Sequence, residues 1–117
     1  IWRGIAFEKG KSDLTPATQT ELNKPFNIVH ENKNTKIELS CHTDSRGAER
    51  DNLIISQARA DKATAYLIGK GISKDRIISV GYGSQRLLNN CVRGVLCLEE
   101  DHQINIRTEI KYSPYQK

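Results

Sequence analysis

Alternation of apolar and polar positions predicts strands along the chain. The clearest run is Thr35 to Cys41, where Ile37, Leu39 and Cys41 face one way and the residues between them face the other. We therefore interpret Cys41 as a small buried apolar side chain rather than a nucleophile. Similar patterns predict three more strands, at Ile1–Phe7, at Arg76–Tyr82, and at Gln103–Tyr112 with Ile104, Ile106, Thr108 and Ile110 on one face.

Helical spacing fills the intervals between the first three strands. Thr15 and Pro16 are typical of a helix N-cap and first position, and apolar residues follow at helical spacing up to Val29. A second helix is predicted from an N-cap at Ser56 to the basic last turn and C-cap at Lys70–Gly71. The order β-α-β-α-β-β predicts an α+β fold, a two-layer sandwich with a mixed four-stranded sheet and the helices on one face.

Length and composition limit the possible classes of protein. The 117 residues suit one domain, 1–117. Hydrophobic residues make up 37% of the chain and charged residues 27%, and no apolar run has membrane-spanning length, so we predict no transmembrane helix. The net charge of +4 comes from interleaved acids and bases, and aromatic residues make up only 6%, so we expect no nucleic-acid partner. The chain starts at Ile1 without an initiator Met or signal-peptide features, which favours a piece of a longer protein.

Two cysteines close together point to an oxidising compartment. Cys91 and Cys97 flank a short Gly-containing loop, and a disulfide across such a loop is sterically reasonable. Reduced thiols or half of a metal site are the other interpretations, but no second Cys/His pair has zinc spacing. We therefore predict neither a metal nor a cofactor.

Asp44 and Arg59 are the candidate binding residues. Asp44 follows the end of the second strand, and Arg59 lies in the first turn of the predicted second helix, so both could reach the same edge of the sheet. A carboxylate beside a guanidinium is complementary to a zwitterion, and free N–H groups at the helix start would help to attract an anion. The alternative is that Asp44 shapes a turn with Gly47 and pairs structurally with Arg59.

Catalysis is not favoured by the pattern. Cys41 and His42 are neighbours in a strand, so their side chains point to opposite faces and cannot readily form a nucleophile–base pair. The acidic run Glu99-Glu100-Asp101 is interpreted as solvated charge. We therefore expect a protein that is not an enzyme.

Several motifs in order resemble those of the OmpA-like peptidoglycan-binding domain, as found in OmpA and MotB C-terminal regions. They are His42-Thr43-Asp44 followed by Gly47, then Asn52, Ile55, Ser56, Arg59 and Ala60 in an N-x-x-L-S-x-x-R-A pattern, and Gly81-Tyr82-Gly83. The opening segment from Phe7 to Thr15 is similar as well, so the resemblance covers nearly the whole chain.

The resemblance implies non-catalytic binding of the diaminopimelate in the peptidoglycan stem peptide. Asp44 and Arg59 would hold its ammonium and carboxylate, and Thr43 and Asn52 would line the same pocket. It further implies a periplasmic domain of a Gram-negative envelope protein, attached to the outer membrane through a missing N-terminal part, which anchors the envelope to the cell wall. A homodimer is compatible with this role.

One departure from the family pattern leaves an alternative open. The last motif of the family is usually N-R-R, whereas this chain has Asn105-Ile106-Arg107. One arginine that would donate hydrogen bonds to the ligand carboxylate is therefore missing. Arg107 is expected on the other face in a structural role. The alternative function is an OmpA-like fold that has lost its ligand and serves as a protein-interaction or dimerisation module.

Overall fold

A mixed arrangement of helices and strands is seen in the computed structural model, which describes residues 2–3 and 7–115. This confirms the predicted α+β class. The strands are β1 (Trp2–Arg3), β2 (Thr35–His42), β3 (Ile77–Gly83) and β4 (Arg107–Pro114), and the helices are α1 (Pro16–Glu31), α2 (Glu49–Gly69) and α3 (Glu99–Gln103), with a 3₁₀ turn at Lys74–Arg76.

The sheet has the order β1-β4-β2-β3, and its body consists of the three long strands. β2 lies between β3, with which it is parallel, and β4, with which it is antiparallel. The predicted first strand, Ile1–Phe7, is too long: only Trp2–Arg3 pairs with β4, Phe7 is outside any strand, and Ile1 and residues 4–6 lie outside the described part of the chain.

The core lies between the sheet and the two long helices. Ile37, Leu39 and Cys41 are buried on one face of β2, as the alternation predicts. They form a cluster with side chains from both helices, namely Leu22 and Val29 of α1 and Ala60, Ala63 and Leu67 of α2. Both helices therefore cover the same side of the central strand.

β3 and α2 approach each other so closely that a side chain is excluded at Gly81. A Cβ atom built there would lie within 2.6 Å of the Ser56 backbone, nearer than real Cβ contacts occur. The Gly81 N–H donates to the Gln57 side chain at 2.8 Å, and the Gly83 N–H donates to Ser56 Oγ at 2.9 Å. These contacts fix the depth at which α2 lies on the sheet.

The predicted start of the second helix at Ser56 is wrong, because α2 already begins at Glu49. Its N-cap is Ala48, which offers no side-chain cap, so the usual capping signal is absent from the sequence. Acidic Glu49 and Asp51 in the first turn instead complement the helix dipole. Arg59 consequently lies about 15 Å along the helix from Glu49, and its proposed proximity to the helix N-terminus is wrong.

The predicted last strand also begins too early. Residues 99–103 form α3, and β4 begins only at Arg107, so Ile104 and Ile106 are not strand residues and are partly exposed. The side chain of Asn105 is fully buried: its Oδ1 accepts from the Leu88 N–H at 2.7 Å and its Nδ2 donates to Asn89 Oδ1 at 2.9 Å. These two bonds hold the chain in an irregular path just before β4. Thr108 and Ile110 are buried as predicted.

Candidate functional site

An open cavity of about 730 Å³ lies where the end of β2 meets α2 and α3. It contains all four residues that the sequence nominated for ligand binding. The lining residues are Phe7, Lys9, Gly10, Thr43, Asp44, Arg46, Gly47, Asn52, Ile55, Arg59, Glu99, Gln103 and Ile106. The walls therefore carry fixed charges of both signs together with apolar surface from Phe7, Ile55 and Ile106.

One face of α2 forms a wall of the cavity. Asn52, Ile55 and Arg59 are spaced at i, i+3 and i+7, so they lie along the same side of the helix. The β2–α2 loop adds Asp44 to the lining, next to Asn52. The close packing of α2 on β3 fixes this wall relative to the end of the central strand.

Arg59 is buried and held by backbone carbonyl groups. Its Nε donates to the carbonyl of Lys11 at 2.9 Å and its Nη2 donates to that of Glu8 at 3.2 Å, while the guanidinium lies 5.2 Å from the ring centroid of Phe7. Burial lowers the pKa of Arg59, but an arginine remains charged at neutral pH. None of these contacts is with a carboxylate, so the cavity retains a positive charge that no acid in residues 7–115 neutralises directly.

Asp44 is also buried, but its carboxylate has a charged partner. Its Oδ1 accepts from the Arg46 N–H at 2.9 Å, and its Oδ2 accepts from Arg46 Nε at 3.0 Å and Nη2 at 2.7 Å. Asp44 thus pairs with Arg46, and within the described residues no ion pair joins it to Arg59. The structural alternative of a direct Asp44–Arg59 pair is therefore wrong, although the interpretation of Asp44 as a turn-shaping residue holds for its Oδ1.

Thr43 and Asn52 stabilise the loop that carries Asp44. Thr43 Oγ1 donates to the carbonyl of Asp44 at 2.9 Å, and the Thr43 N–H donates to that of Gly83 at 2.9 Å. Asn52 Nδ2 donates to the carbonyl of Arg46 at 3.1 Å and that of Asp44 at 3.4 Å. Both residues line the cavity, and the bonds that they make position the backbone around the carboxylate.

Four charged or polar residues of the cavity are absent from the set nominated from the sequence, namely Lys9, Arg46, Glu99 and Gln103. The sequence patterns instead assign Glu99 to a run of solvated charge and Gln103 to the predicted last strand. Arg46 Nη1 donates to Glu99 Oε1 at 2.7 Å and its Nη2 donates to Glu99 Oε2 at 2.9 Å. Because 53 residues separate Arg46 from Glu99, no local pattern in the sequence could have paired them.

A smaller cavity of about 120 Å³ extends behind Arg59 toward the sheet. It shares Phe7, Arg59, Gln103 and Ile106 with the larger cavity and adds Cys41, His42, Arg107 and Thr108. Burial raises the pKa of the Cys41 thiol to about 11, so this cysteine is a neutral core residue, as predicted. Arg107 bonds to Glu109 and to the carbonyls of Asn105 and Arg86, which supports its expected structural role.

The disulfide between Cys91 and Cys97 lies beside the rim of the larger cavity. The bond is present, as the loop spacing suggested. Ser45 Oγ donates to the carbonyl of Cys91 at 2.5 Å, and Arg93 donates to the carbonyl of Gly47. The disulfide-closed loop is therefore tied to the same loop that presents Asp44.

Neither a metal site nor a membrane-spanning helix is found in the part of the chain that the structure describes. No group of three or more acidic, histidine or cysteine side chains there could hold a metal ion. No helix among those residues combines the length and apolar character needed to cross a bilayer.

Comparison with known proteins identifies the family. The OmpA family matches residues 6–95, a range that includes Asp44, Arg46 and Arg59 and ends before Glu99. The chain belongs to the OmpA family. It is 32% identical over 93 residues to outer membrane protein P5 of Haemophilus influenzae, which covers 80% of this chain and 25% of that protein. It is also 40% identical over 65 residues to the peptidoglycan-associated lipoprotein of Buchnera aphidicola, covering 56% of this chain and 38% of the lipoprotein.

Solved structures of this family share the fold. The peptidoglycan-associated lipoprotein from Burkholderia pseudomallei superposes with a TM-score of 0.81 at 20% identity, over 96% of this chain and 91% of that chain. The cell wall anchor of the type VI secretion system from Pseudomonas aeruginosa has a TM-score of 0.76 at 19% identity, over 94% and 75% of the two chains. This OmpA-family chain spans only about a quarter to two fifths of the curated relatives named above.

Proposed function

We propose that this OmpA-family domain binds peptidoglycan without altering it and so anchors an envelope protein to the cell wall. The finer proposal is that it recognises the diaminopimelate of the stem peptide, in the periplasm, as domain 1–117 of a longer, outer-membrane-associated protein. The observation that carries it is the presence of Asp44 and Arg59 on the walls of one cavity without an ion pair between them. Relatives named for peptidoglycan association and cell-wall anchoring support the choice of ligand class.

The charges of the cavity suit the free end of diaminopimelate. That end carries an ammonium and a carboxylate on one carbon atom. Its binding site therefore needs an acidic and a basic side chain separated by a few ångströms. Asp44 would accept from the ammonium, and Arg59 would donate to the carboxylate, since guanidinium–carboxylate bonds are among the stronger hydrogen bonds in proteins. The apolar walls would contact the methylene chain of the ligand.

The mechanism is recognition alone. A ligand of this size makes few contacts, so we expect the single-site dissociation constant to be on the order of micromolar to millimolar. Firm attachment would then come from a tethered domain meeting many equivalent sites on the cell wall, which raises the effective concentration. No reacting group is needed, and the buried Cys41 thiol has a pKa too high for a nucleophile.

Co-sedimentation with purified peptidoglycan tests this proposal. We expect the wild-type domain to pellet with the insoluble polymer, and Asp44→Asn to lose about tenfold or more of its affinity, since a charge-assisted bond contributes about 1.5–3 kcal/mol. Asp51→Asn is the matched control, because Asp51 is exposed in the first turn of α2 and does not line the cavity.

Two outcomes would contradict the proposal. Equal pelleting of wild type and Asp44→Asn would place binding elsewhere on the domain. No pelleting of the folded wild-type domain would favour the alternative function, a protein-interaction or dimerisation module, for which Ile106 is the sequence signal.

A further inference from the structure

The Asp44 carboxylate is occupied by a side chain of the same loop. Arg46 approaches it with Nε at 3.0 Å and Nη2 at 2.7 Å from Oδ2, and its backbone N–H takes Oδ1. A carboxylate accepts about four hydrogen bonds, and three are already made. A ligand ammonium would therefore meet a guanidinium at the oxygen that it needs.

The same guanidinium is held from its other edge by Glu99. Arg46 Nη1 and Nη2 donate to the two Glu99 oxygens at 2.7 and 2.9 Å, so four of its five N–H groups are in use. The side chains of Arg46 and Glu99 are 46% and 62% exposed, whereas that of Asp44 is 10% exposed. The guanidinium is thus an accessible bridge between buried Asp44 and exposed Glu99. It can break its bonds to Asp44 and keep those to Glu99.

Exchange at Asp44 would release useful donors. When Arg46 leaves Asp44 and stays on Glu99, its Nε–H and one Nη2–H become available beside a cavity that lacks an arginine at position 106. Those donors suit the carboxylate of an incoming zwitterion. A simple amine would displace Arg46 from Asp44 without supplying a carboxylate to which the released N–H groups could donate.

We propose that Arg46 is a specificity-determining residue of the proposed ligand site, an internal occupant of Asp44 that only a ligand bearing both an ammonium and a carboxylate exchanges efficiently. Glu99 retains the guanidinium during the exchange. This inference rests on the proposed function, since it assigns Asp44 to the ligand ammonium.

An NMR titration of the whole 117-residue chain tests the exchange directly. With meso-diaminopimelate as the probe, the side-chain Nε–H resonance of Arg46 is expected to move and to saturate with the same dissociation constant as the Asp44 amide. Saturation of the Asp44 amide with the Arg46 Nε–H unmoved would overturn the inference and leave the proposed function standing. No shift in the wild type or in Arg46→Ala would overturn both.

Selectivity provides the second measurement. The matched probe is 1,5-diaminopentane, which is diaminopimelate without its carboxylates. We expect the preference for diaminopimelate over the diamine to fall about tenfold in Arg46→Ala, because the amine no longer has to displace Arg46 and the acid loses its donors. Arg46→Lys, which keeps the charge but not the planar fork, is expected to fall in between.

A charge control separates this effect from general electrostatics. Arg50→Ala removes the same charge from an exposed position of α2 outside the cavity lining. It is expected to leave the preference unchanged. An equal drop in Arg50→Ala and Arg46→Ala, or an unchanged preference in Arg46→Ala, would show that Arg46 does not determine specificity.

Discussion

The cavity lies between two regions of the molecule that are held together differently. On one side, β2, α2 and β3 form a regular layer in which backbone atoms of the helix and the sheet nearly touch at Gly81. On the other, residues 84–106 contain one five-residue helix and are otherwise irregular. Arg59 belongs to the regular region and Asp44 to the loop that joins β2 to α2, whereas Glu99, Gln103 and Ile106 belong to the irregular segment.

Different interactions position the two sides of the cavity. Arg59 projects from the middle of a 21-residue helix and is fixed by two backbone carbonyls. The irregular segment depends on the disulfide, on Ser45 bonding to the Cys91 carbonyl, and on the buried side chain of Asn105. Arg59 is therefore preorganised, whereas the position of the irregular segment depends on a few individual contacts.

This difference suits a site in which the cation is permanent and the acid is exchangeable. Among the described residues Arg59 has no acidic partner to give up, so it can receive an anion without reorganisation. Asp44 has to exchange Arg46 for the ligand ammonium. Arg46 is also held by Glu99, which belongs to the less regular region. The comparison predicts that damage to the regular layer affects the whole domain and damage to the irregular segment affects it less.

The largest effect is expected from Gly81→Ala. The added Cβ would meet the backbone of α2, which cannot yield without moving the helix, so we expect a loss of at least about 3 kcal/mol in the free energy of unfolding. Chemical denaturation measures it. Gly69→Ala is the control, because nothing lies within 4 Å of a Cβ there, and it is expected to be neutral or slightly stabilising. Equal midpoints for the two variants would contradict the close approach.

Asn105→Ala is expected to have the next largest effect. It leaves the Leu88 N–H without its acceptor and removes one of the two donors to Asn89 Oδ1, the other being the Cys91 N–H, so we expect a loss of about 1–3 kcal/mol in the free energy of unfolding. Asn90→Ala, an exposed neighbour in the same segment, is the control. If the Arg59 side is independent of this segment, the Arg59 Nε–H resonance stays in place in Asn105→Ala. A shift as large as that of Arg46 would show that the two sides are coupled.

Loss of the disulfide is expected to cost no more than the upper part of that range. The bond closes a short loop with a sequence separation of 6, so chain entropy gives about 2 kcal/mol. Denaturation with and without reductant measures this in the wild type, and the double variant Cys91→Ala with Cys97→Ala should match the reduced protein and not respond to reductant. A cost above that of Gly81→Ala would reverse the comparison between the two regions.

The smallest effect is expected for the pH dependence of the Arg46–Glu99 pair. Hydrogen bonds from Arg46 lower the pKa of Glu99 to about 2, from 4.5 for the free carboxyl. Because the folded-state pKa is depressed, the pair stabilises the fold above about pH 4.5, and this contribution is lost as the pH falls toward 2. The difference in denaturation midpoint between wild type and Glu99→Gln should therefore be small at neutral pH and vanish near pH 2. A difference that grows on acidification would contradict the pairing.

Regular elements and sequence-local signals were predictable from the chain. Alternation identified β2 and its buried face, and the Thr15–Pro16 signal placed the start of α1, where Thr15 caps the helix as expected. The predicted positions of Asp44 and Arg59 and then the motif resemblance nominated this pair, and both residues line the cavity. These features depend on neighbours in sequence or on the spacing of motif residues, which a single chain displays.

Features that depend on distant contacts were not predictable. Ala48 carries no capping side chain, so the early start of α2 left no signal, and Ile104 and Ile106 continued an alternation that Asn105 interrupts through bonds to residues 88 and 89. The Arg46–Glu99 bridge joins the β2–α2 loop to the first residue of α3, 53 positions later in the sequence. Only the structure shows that Glu99, interpreted from the sequence as solvated charge, lines the larger cavity.

The most direct test of the account is an amide-shift titration with meso-diaminopimelate, with L-lysine and the Asp44→Ala variant in parallel. The account predicts saturable shifts at Asp44 and Arg59 that are much weaker with lysine and are lost in the variant. A folded wild-type domain without shifts up to tens of millimolar ligand, or shifts that persist unchanged in Asp44→Ala, would contradict it.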